Sequence, residues 1–370
     1  MGDVSPSRFV EQGVWGMYPP LASLAIRGTG GQGDISPLYI TNMSKKISEG
    51  AYGCIYKPAV GINGKVEPKY INKIQIAKKE TENEPRLGKQ IQTIPHYRRY
   101  FAPSIQVSNL VVSAIDKQEL KECKVIAKQP KRKIVASKIP YVGENTLGEQ
   151  IEKFHQALPA TTFSRIKQFH NHIKQAIQKL QDDKIGIVHN DIKQNNIVYS
   201  NSLQCPILID FGLSFNIHEL ETPQQIETAF LLYDENDAPS AVDITCIGKI
   251  TNHSPNWATK KIDFSLIENT IHKIYNENPV YKIIRHYLGD QQMAKQEQKK
   301  KQYYKQIMEH HNYKGAKVVD ELLENWKQWD QYSANVMILK QIHLYYQNPK
   351  TDPKAVNQYR EKLIRGILSP

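Results

Sequence analysis

Three oxygen-bearing side chains stand close together between Ile185 and Phe215: Asp191, Asn196 five residues later, and Asp210 at the end of an apolar run. Two carboxylates and an amide oxygen are hard ligands of the kind that suits Mg²⁺. That ion is normally held by one or two carboxylates together with the phosphates of a substrate. The three can meet only if the stretch IGIVHNDIKQNNIVYSNSLQCPILIDFGLSF folds back on itself. Ile185, Ile187 and Val188 make an apolar approach to His189-Asn190-Asp191. Ile197-Val198-Tyr199 then reads as one short strand and Pro206-Ile207-Leu208-Ile209 as a second. Ser200, Asn201 and Ser202 supply a polar turn between them, so a hairpin brings Asn196 and Asp210 to the same end.

Other elements must support that hairpin. From Phe163 to Leu180, apolar residues fall at 163, 166, 169, 173, 177 and 180. Gaps of three and four residues put them on one face of a helix that ends just before Gly186. Upstream, Ile47-Ser48-Glu49-Gly50-Ala51-Tyr52-Gly53-Cys54-Ile55-Tyr56 has apolar flanks around a glycine turn and predicts a hairpin. Glycines there let backbone N–H groups approach phosphate closely. Residues 105–142 alternate apolar runs (Ile105–Val107, Leu110–Val112, Val125–Ala127, Ile134–Ala136) with polar turns, which predicts the remaining strands of a small sheet.

Taken together, HNDIKQNN followed by IDFG resembles the catalytic loop H-R-D-x-x-x-x-N and the D-F-G motif of protein kinases. The resemblance implies that Asp191 is the catalytic base, that Asn196 and Asp210 hold Mg²⁺, and that Lys193 faces the transferred phosphate. The glycine hairpin is similar to G-x-G-x-x-G-x-V, with Ser48 in place of the first glycine. Ile47, Ser48, Gly50, Ala51, Tyr52, Gly53 and Ile55 are then the expected ATP contacts. Tyr70-Ile71-Asn72-Lys73-Ile74 looks like the strand that carries the ATP-phosphate lysine. Lys73 is the preferred residue, with Lys69, Lys78 and Lys79 as neighbours in competing registers. Asn83-Glu84-Pro85-Arg86-Leu87 resembles the helix bearing that lysine's partner, which makes Glu84 the candidate and Glu80 and Glu82 its competitors. Pro85 fits only the first turn of such a helix, so Glu84 stands at its start. Tyr141 and Val142, in IPYVG, correspond to the hinge where adenine binds in that family.

The family also implies an α+β, bilobal fold: a small, mainly antiparallel β N-lobe with one helix, and a larger, mainly helical C-lobe. On this chain the N-lobe corresponds to residues 45–142 and the C-lobe to 143–370, after an irregular extension over 1–44. An activation segment is expected over Ser214–Ala241, where Ala238-Pro239-Ser240 resembles A-P-E without its glutamate. An aspartate should anchor a central C-lobe helix, as in D-x-W-S-x-G. Asp243, five residues before Gly248, and Asp330, within Trp329-Asp330-Gln331-Tyr332-Ser333, both qualify. Asp330 is preferred because an apolar helix begins there, which makes about 250–325 an insertion.

Composition sets outer bounds. The 370 residues, 40% hydrophobic and 23% charged, leave room for an ample core. No apolar run reaches the ~20 residues that a membrane span needs. The four cysteines (Cys54, Cys123, Cys205, Cys246) are widely spaced and form no metal-like pairs, so free thiols in a reducing compartment are expected. The net charge of +12 is concentrated in Lys117–Lys138 and Lys295–Lys305. The second run, KQEQKKKQYYKQ, reads as a solvated helix face, and nucleic-acid binding is not expected. An acidic protein substrate, or the nucleotide itself, accounts for the charge equally well.

Lys193 follows Asp191 by two residues, as in serine/threonine kinases. GAYGCIYKP, YINKI, HNDIK and WDQYS are similar to serine/threonine kinases of large cytoplasmic DNA viruses, over about residues 45–215 and then in patches. That likeness implies a place in the host cytoplasm or in the virion. Two alternatives stand beside it: a small-molecule phosphotransferase, and a kinase-shaped scaffold without turnover. The first commonly lacks the lysine, the glycine cover and Phe-Gly; the second usually loses one of Lys73, Asp191, Asn196 or Asp210.

Overall fold

A computed structural model of the chain describes residues 44–50, 53–60, 65–77, 82–109, 121–128, 133–232, 240–253, 256–350 and 352–369. Residues 1–43 of the expected N-terminal extension, Ala51, Tyr52, Lys78, Lys79, Glu80, Leu110–Val112 and Ala238-Pro239 lie outside the described residues. The protein is α+β, with a mainly antiparallel sheet in its N-terminal region and a helical C-terminal region.

In chain order the strands are β1 (Lys45–Gly50), β2 (Gly53–Lys57), β3 (Ala59–Val60), β4 (Val66–Glu67), β5 (Tyr70–Ile76), β6 (Phe101–Ala102), β7 (Gln106–Asn109) and β8 (Ile134–Pro140). They are followed by β9 (Ile187–Val188), β10 (Ile197–Ser200), β11 (Cys205–Ile209) and β12 (Phe215–Asn216). The helices used below are α1 (Asn83–Gln92), α2 (Lys124–Ala127), α3 (Leu147–Ala157), α4 (Thr162–Leu180), α5 (Pro223–Ala229) and α6 (Val242–His253). After them come α7 (Phe264–Glu277), α8 (Pro279–Leu288), α9 (Asp290–His310), α10 (Gly315–Leu323), α11 (Trp326–Tyr345) and α12 (Lys354–Leu368). None of the described helices is long and apolar enough to cross a membrane.

The chain divides into two compact units. The first comprises the described residues up to Glu82 and Ser104–Tyr141. Its sheet has the order β1-β2-β5-β8-β7, antiparallel throughout. One face covers a small core of Cys54, Tyr56, Val60, Ile74, Ile126 and Ala136. Two expectations are corrected here. Val125–Ala127 lies in the helical turn α2, not in a strand. An apolar run of three residues fits either period, and the Glu49 carboxylate tips the balance by accepting the Lys124 N–H at the helix start. Cys54 and Cys123 are not free thiols but a disulfide, closing 69 residues of chain. The fold brings Cys123, the residue just before α2, to a Cα–Cα distance of 6.0 Å from Cys54 in β2, a proximity that sequence spacing does not reveal. Cys205 and Cys246 are buried thiols outside any disulfide.

The second unit comprises Asn83–Pro103 and the chain from Val142 onward. The helix carrying Glu84 therefore groups with the helical part of the chain, not with the sheet that holds Lys73. The periodicity over 163–180 falls on α4, whose Ile166, Phe169, Ile173, Ile177 and Leu180 are buried. α11 is buried almost all round, as a helix at the centre of a bundle must be. Its Val336-Met337-Ile338-Leu339 run is entirely inside. The residues at about 250–325 form α7 to α10 and share one continuous core with α4 and α11, through Ile271, Tyr275, Ile284, Tyr304, Met308 and Leu322. A three-stranded sheet, β10-β11-β6, and the short pair β12-β9 lie in this unit.

Candidate active site

In the helical unit, β10 and β11 form the expected hairpin, with Ile197 opposite Leu208 and Ser200 opposite Cys205. Extending that register by one residue sets Asn196 opposite Ile209, so Asn196 and Asp210 stand at the same end. A second link comes from His189, whose Nε2 lies 3.1 Å from the Ile209 carbonyl oxygen. A carbonyl only accepts, so Nε2 carries the proton. The residue two before Asp191 is thereby tied to the residue just before Asp210.

Asp191 is held from two sides. Asn196 Nδ2 donates to Asp191 Oδ2 at 2.6 Å and to its backbone oxygen at 3.0 Å. Lys193 Nζ lies 2.9 Å from Asp191 Oδ1. With both donor contacts of Asn196 turned to Asp191, its Oδ1 is the atom left to face a cation. Asn196 is buried, whereas Asp191 and Asp210 are partly exposed at the end of the hairpin.

Backbone geometry concentrates at the same place. Asn190 has φ 61° and Asp210 has φ 59°, both left-handed. Non-glycine residues occupy that region at a cost, and Asn and Asp tolerate it best because their short side chains can bond locally. Asp210 does so through Oδ1, which accepts the Gly212 N–H at 3.3 Å. Phe211 is fully buried, its ring 4.8 Å from that of His189 and edge-on to Phe101 at 6.2 Å. Its burial locks the chain direction immediately after Asp210.

The loop is fastened from beneath by α11. Asp330 Oδ2 accepts the His189 N–H at 2.7 Å and Oδ1 accepts the Asn190 N–H at 3.0 Å. Burial raises the Asp330 carboxyl above its usual range, and the His189 and Asn190 contacts oppose that shift. Asp243, the other candidate anchor, is engaged elsewhere: it accepts from Tyr304 Oη and, at 3.2 Å, from Trp329 Nε1. Asp243 thus braces α11 against α9, one residue away from the anchor. Ser214 Oγ donates to the His189 carbonyl at 2.9 Å, and Asn83 Nδ2 to the Ser214 carbonyl at 3.0 Å. Sequence reasoning passed over His189 and Ser214 as site-forming residues; Ser214 lies in no motif that would have marked it.

Glu84 sits in the first turn of α1 and is 3% exposed, whereas its competitor Glu82 is exposed. Val142 begins the second segment of this unit, and Gly143 packs so tightly on β10 that an added Cβ would stand 2.3 Å from the Tyr199 carbonyl oxygen.

In the sheet unit, Lys73 lies in mid-strand, paired with Ile55 on one side and Ser137 on the other. It is 9% exposed, while Lys69 is exposed. Burying an ammonium costs free energy unless something answers the charge. Gly50 and Gly53 close the β1–β2 hairpin as its last pair. Their needs differ. A Cβ on Gly53 would stand 2.2 Å from the Ile74 carbonyl oxygen, so strand packing alone demands glycine there. A Cβ on Gly50 would meet only the Gly53 oxygen at 3.8 Å, so packing makes no such demand. Ile47 sits at a bulge between Lys46 and Ser48, and Ser48 Oγ is buried without a hydrogen-bond partner. Tyr141 N–H donates to the Lys69 carbonyl at 2.9 Å, and the Lys57 ammonium stands 3.5 Å over its ring.

Comparison with models of known protein families returned no match, and comparison with curated proteins returned none.

Proposed function

We propose that this chain is an ATP-dependent serine/threonine protein kinase, of the type that its motifs resemble in large cytoplasmic DNA viruses. The observation that carries the reading is the arrangement around Asp191. Asn196 and Lys193 hold the carboxylate, and the β10–β11 register sets Asp210 at the same end as Asn196. Phosphoryl transfer asks a protein mainly for positioning and charge stabilisation, and each group here has one such task.

Asp191 accepts the proton of the attacking hydroxyl. Asn196 Nδ2 bonds one oxygen of its carboxylate and Lys193 lies at the other; in this reading Lys193 meets the transferred phosphoryl group. Asn196 Oδ1 and the Asp210 carboxylate are oxygen donors of the kind magnesium takes, so the residues fit the ion. Bound there with ATP, Mg²⁺ would neutralise charge on the phosphates. Lys73 pairs with ATP phosphate, and the hairpin at Gly50 and Gly53 covers the phosphates with backbone N–H groups. Tyr141 and Val142 take the adenine. Glu84 is the partner proposed for Lys73. A place in the host cytoplasm or in the virion belongs to the same reading, and the Cys54–Cys123 disulfide weighs against the reducing compartment of the two.

The test is transfer of the γ-phosphoryl group from ATP·Mg²⁺ to casein, to myelin basic protein and to the enzyme itself, followed by phosphoamino-acid analysis. Phosphoserine or phosphothreonine that vanishes in Asp191→Ala, while ATP still binds, supports a protein kinase with Asp191 as base. Nucleotide binding without transfer to any protein would move the reading to a small-molecule phosphotransferase or a scaffold.

A further inference from the structure

Magnesium is not the only cation for which this chain has ligands. At the end of α9, remote in sequence from the loop just described, His310 and His311 meet Glu321 of α10. One ligand atom from each, two imidazole nitrogens and a carboxylate oxygen, all lie within 4.8 Å of one another. His311 Nε2 already contacts Glu321 Oε2 directly. The rings of His310 and His311 stand edge to face with centroids 4.7 Å apart, so two successive residues direct their imidazoles to one place.

The backbone builds this meeting. α9 ends at His310, and Asn312 and Tyr313 follow with φ 48° and 61°. Two consecutive left-handed residues turn the chain back at once, and α10 begins at Gly315. Tyr313 N–H donates to the Met308 carbonyl at 2.6 Å and Lys314 N–H to the His311 carbonyl at 3.1 Å. The far side is clamped too: the Tyr313 carbonyl accepts from Ile262 N–H, and Gly315 N–H donates to Lys260. Gly315 lies so close to Trp257 that a Cβ there would be 2.0 Å from its carbonyl oxygen. A ligand set mounted on so fixed a turn needs only side-chain rotation to close on an ion.

The surroundings favour a cation. The three ligands line a cleft of about 680 Å³ whose wall also carries Asp320 and Glu324. In a chain of net charge +12, this acidic cleft is a local exception. Lys317 is the cation on the wall, and it is occupied with Asp320 at 3.4 Å.

We propose that His310, His311 and Glu321 bind one divalent transition-metal ion of the zinc class, clipping the end of α9 to α10. Two nitrogens and one carboxylate oxygen match the ligands that zinc takes at about 2.0–2.2 Å, with water completing a tetrahedral shell. Imidazole donors select zinc, copper and nickel over the all-oxygen preferences of magnesium and calcium. The site is therefore chemically distinct from Asn196 and Asp210, and it stands whether or not the chain is a kinase.

Full-length protein, freed of chelator and of any polyhistidine tag, would be titrated with zinc chloride in a calorimeter against a background of millimolar Mg²⁺. One equivalent binding with micromolar or tighter affinity is expected. His310→Ala and Glu321→Gln should each weaken it at least tenfold with the far-ultraviolet circular dichroism unchanged. His310 is exposed, so that variant keeps its fold. Cobalt(II) would report the geometry, as a four-coordinate visible absorption band that His310→Ala abolishes. Binding only at millimolar zinc, or stoichiometric binding that both variants leave intact, would overturn the proposal.

Discussion

Asp330 holds His189 through the peptide backbone: its Oδ2 accepts the His189 N–H at 2.7 Å across 141 residues of sequence, and its Oδ1 takes the next N–H, of Asn190, at 3.0 Å. A buried carboxylate in the centre of the helical unit thus sets the conformation of the loop carrying Asp191, without touching any group to which a catalytic role is proposed. Asp330→Ala would leave two N–H groups unsatisfied where His189 is fully buried. Each such loss costs about 1–3 kcal/mol. The expected result is a drop of roughly 2–6 kcal/mol in unfolding free energy on the same scale, with kcat down more than tenfold and ATP affinity little changed. Asp330→Asn, which keeps one acceptor, should fall between. Wild-type turnover in the alanine variant, measured by steady-state kinetics, would remove Asp330 from the account.

Asn190 bears on regulation. In the regulated kinases that the motif resembles, this place holds an arginine that pairs with a phosphorylated activation loop. Asn190 carries no charge for such a pair. Here its N–H goes to Asp330 and its Nδ2 lies 3.4 Å from the Leu213 carbonyl. Activity is therefore expected to persist within twofold after phosphatase treatment verified by mass spectrometry. Loss of most of the rate would show that another cation reads a phosphate on the loop.

The Cys54–Cys123 disulfide joins β2, the strand leaving the glycine hairpin, to α2. Closing a loop of this length stabilises a fold by typically 2–4 kcal/mol, chiefly by restricting the unfolded chain. Cys54→Ser together with Cys123→Ser should lower the stability of the sheet unit by that order, and dithiothreitol should do the same to the native protein. Limited proteolysis would find the new cuts on the sheet side. Identical melting with and without reductant would mean that the bond contributes nothing in solution.

His170 predicts a pH dependence. It is buried in α4 with Nδ1 2.7 Å from Tyr359 Oη. Burial, then the nearby Lys174 and Lys362 charges, lower its pKa from 6.5 to about 3. The folded state therefore keeps the ring neutral where the unfolded chain protonates it. Stability contributed by the neutral ring is full above 6.5 and is lost as pH falls toward about 3. In His170→Asn the slope of unfolding free energy across that window should be shallower than wild type by up to ~1.4 kcal/mol per pH unit. Parallel slopes in denaturant titrations of the two proteins would show that His170 is not the group responsible.

The hairpin that brings Asn196 to the same end as Asp210 was legible because its strands are short apolar runs bounded by polar turns. The helix over 163–180 was legible because its period is unbroken. Asp330 could be preferred to Asp243 from the apolar helix that follows it, and its two backbone hydrogen bonds agree. What remained hidden depended on distance in space, not on local pattern. Cys54 and Cys123 look unrelated until α2 is laid against β2. Val125–Ala127 is too short for periodicity to speak, and the capping carboxylate of Glu49 lies 75 residues away from Lys124. Residues of about 250–325 read as an insertion because Asp330 is preferred to Asp243 as the anchor; local pattern does not show that their apolar side chains enter the same core as α4 and α11. Gly53 shows the opposite hazard: its glycine satisfies a motif, but close strand packing would require it in any case.

The most direct test of the central claim is the rate of γ-phosphoryl transfer from ATP to protein serine or threonine at saturating Mg²⁺, in wild type and in Asp210→Asn. The account predicts measurable transfer in wild type and a loss of at least a hundredfold in the variant, with the fold intact by circular dichroism and the apparent Mg²⁺ requirement raised. Equal rates in the two proteins, or no ATP binding by wild type, would contradict it.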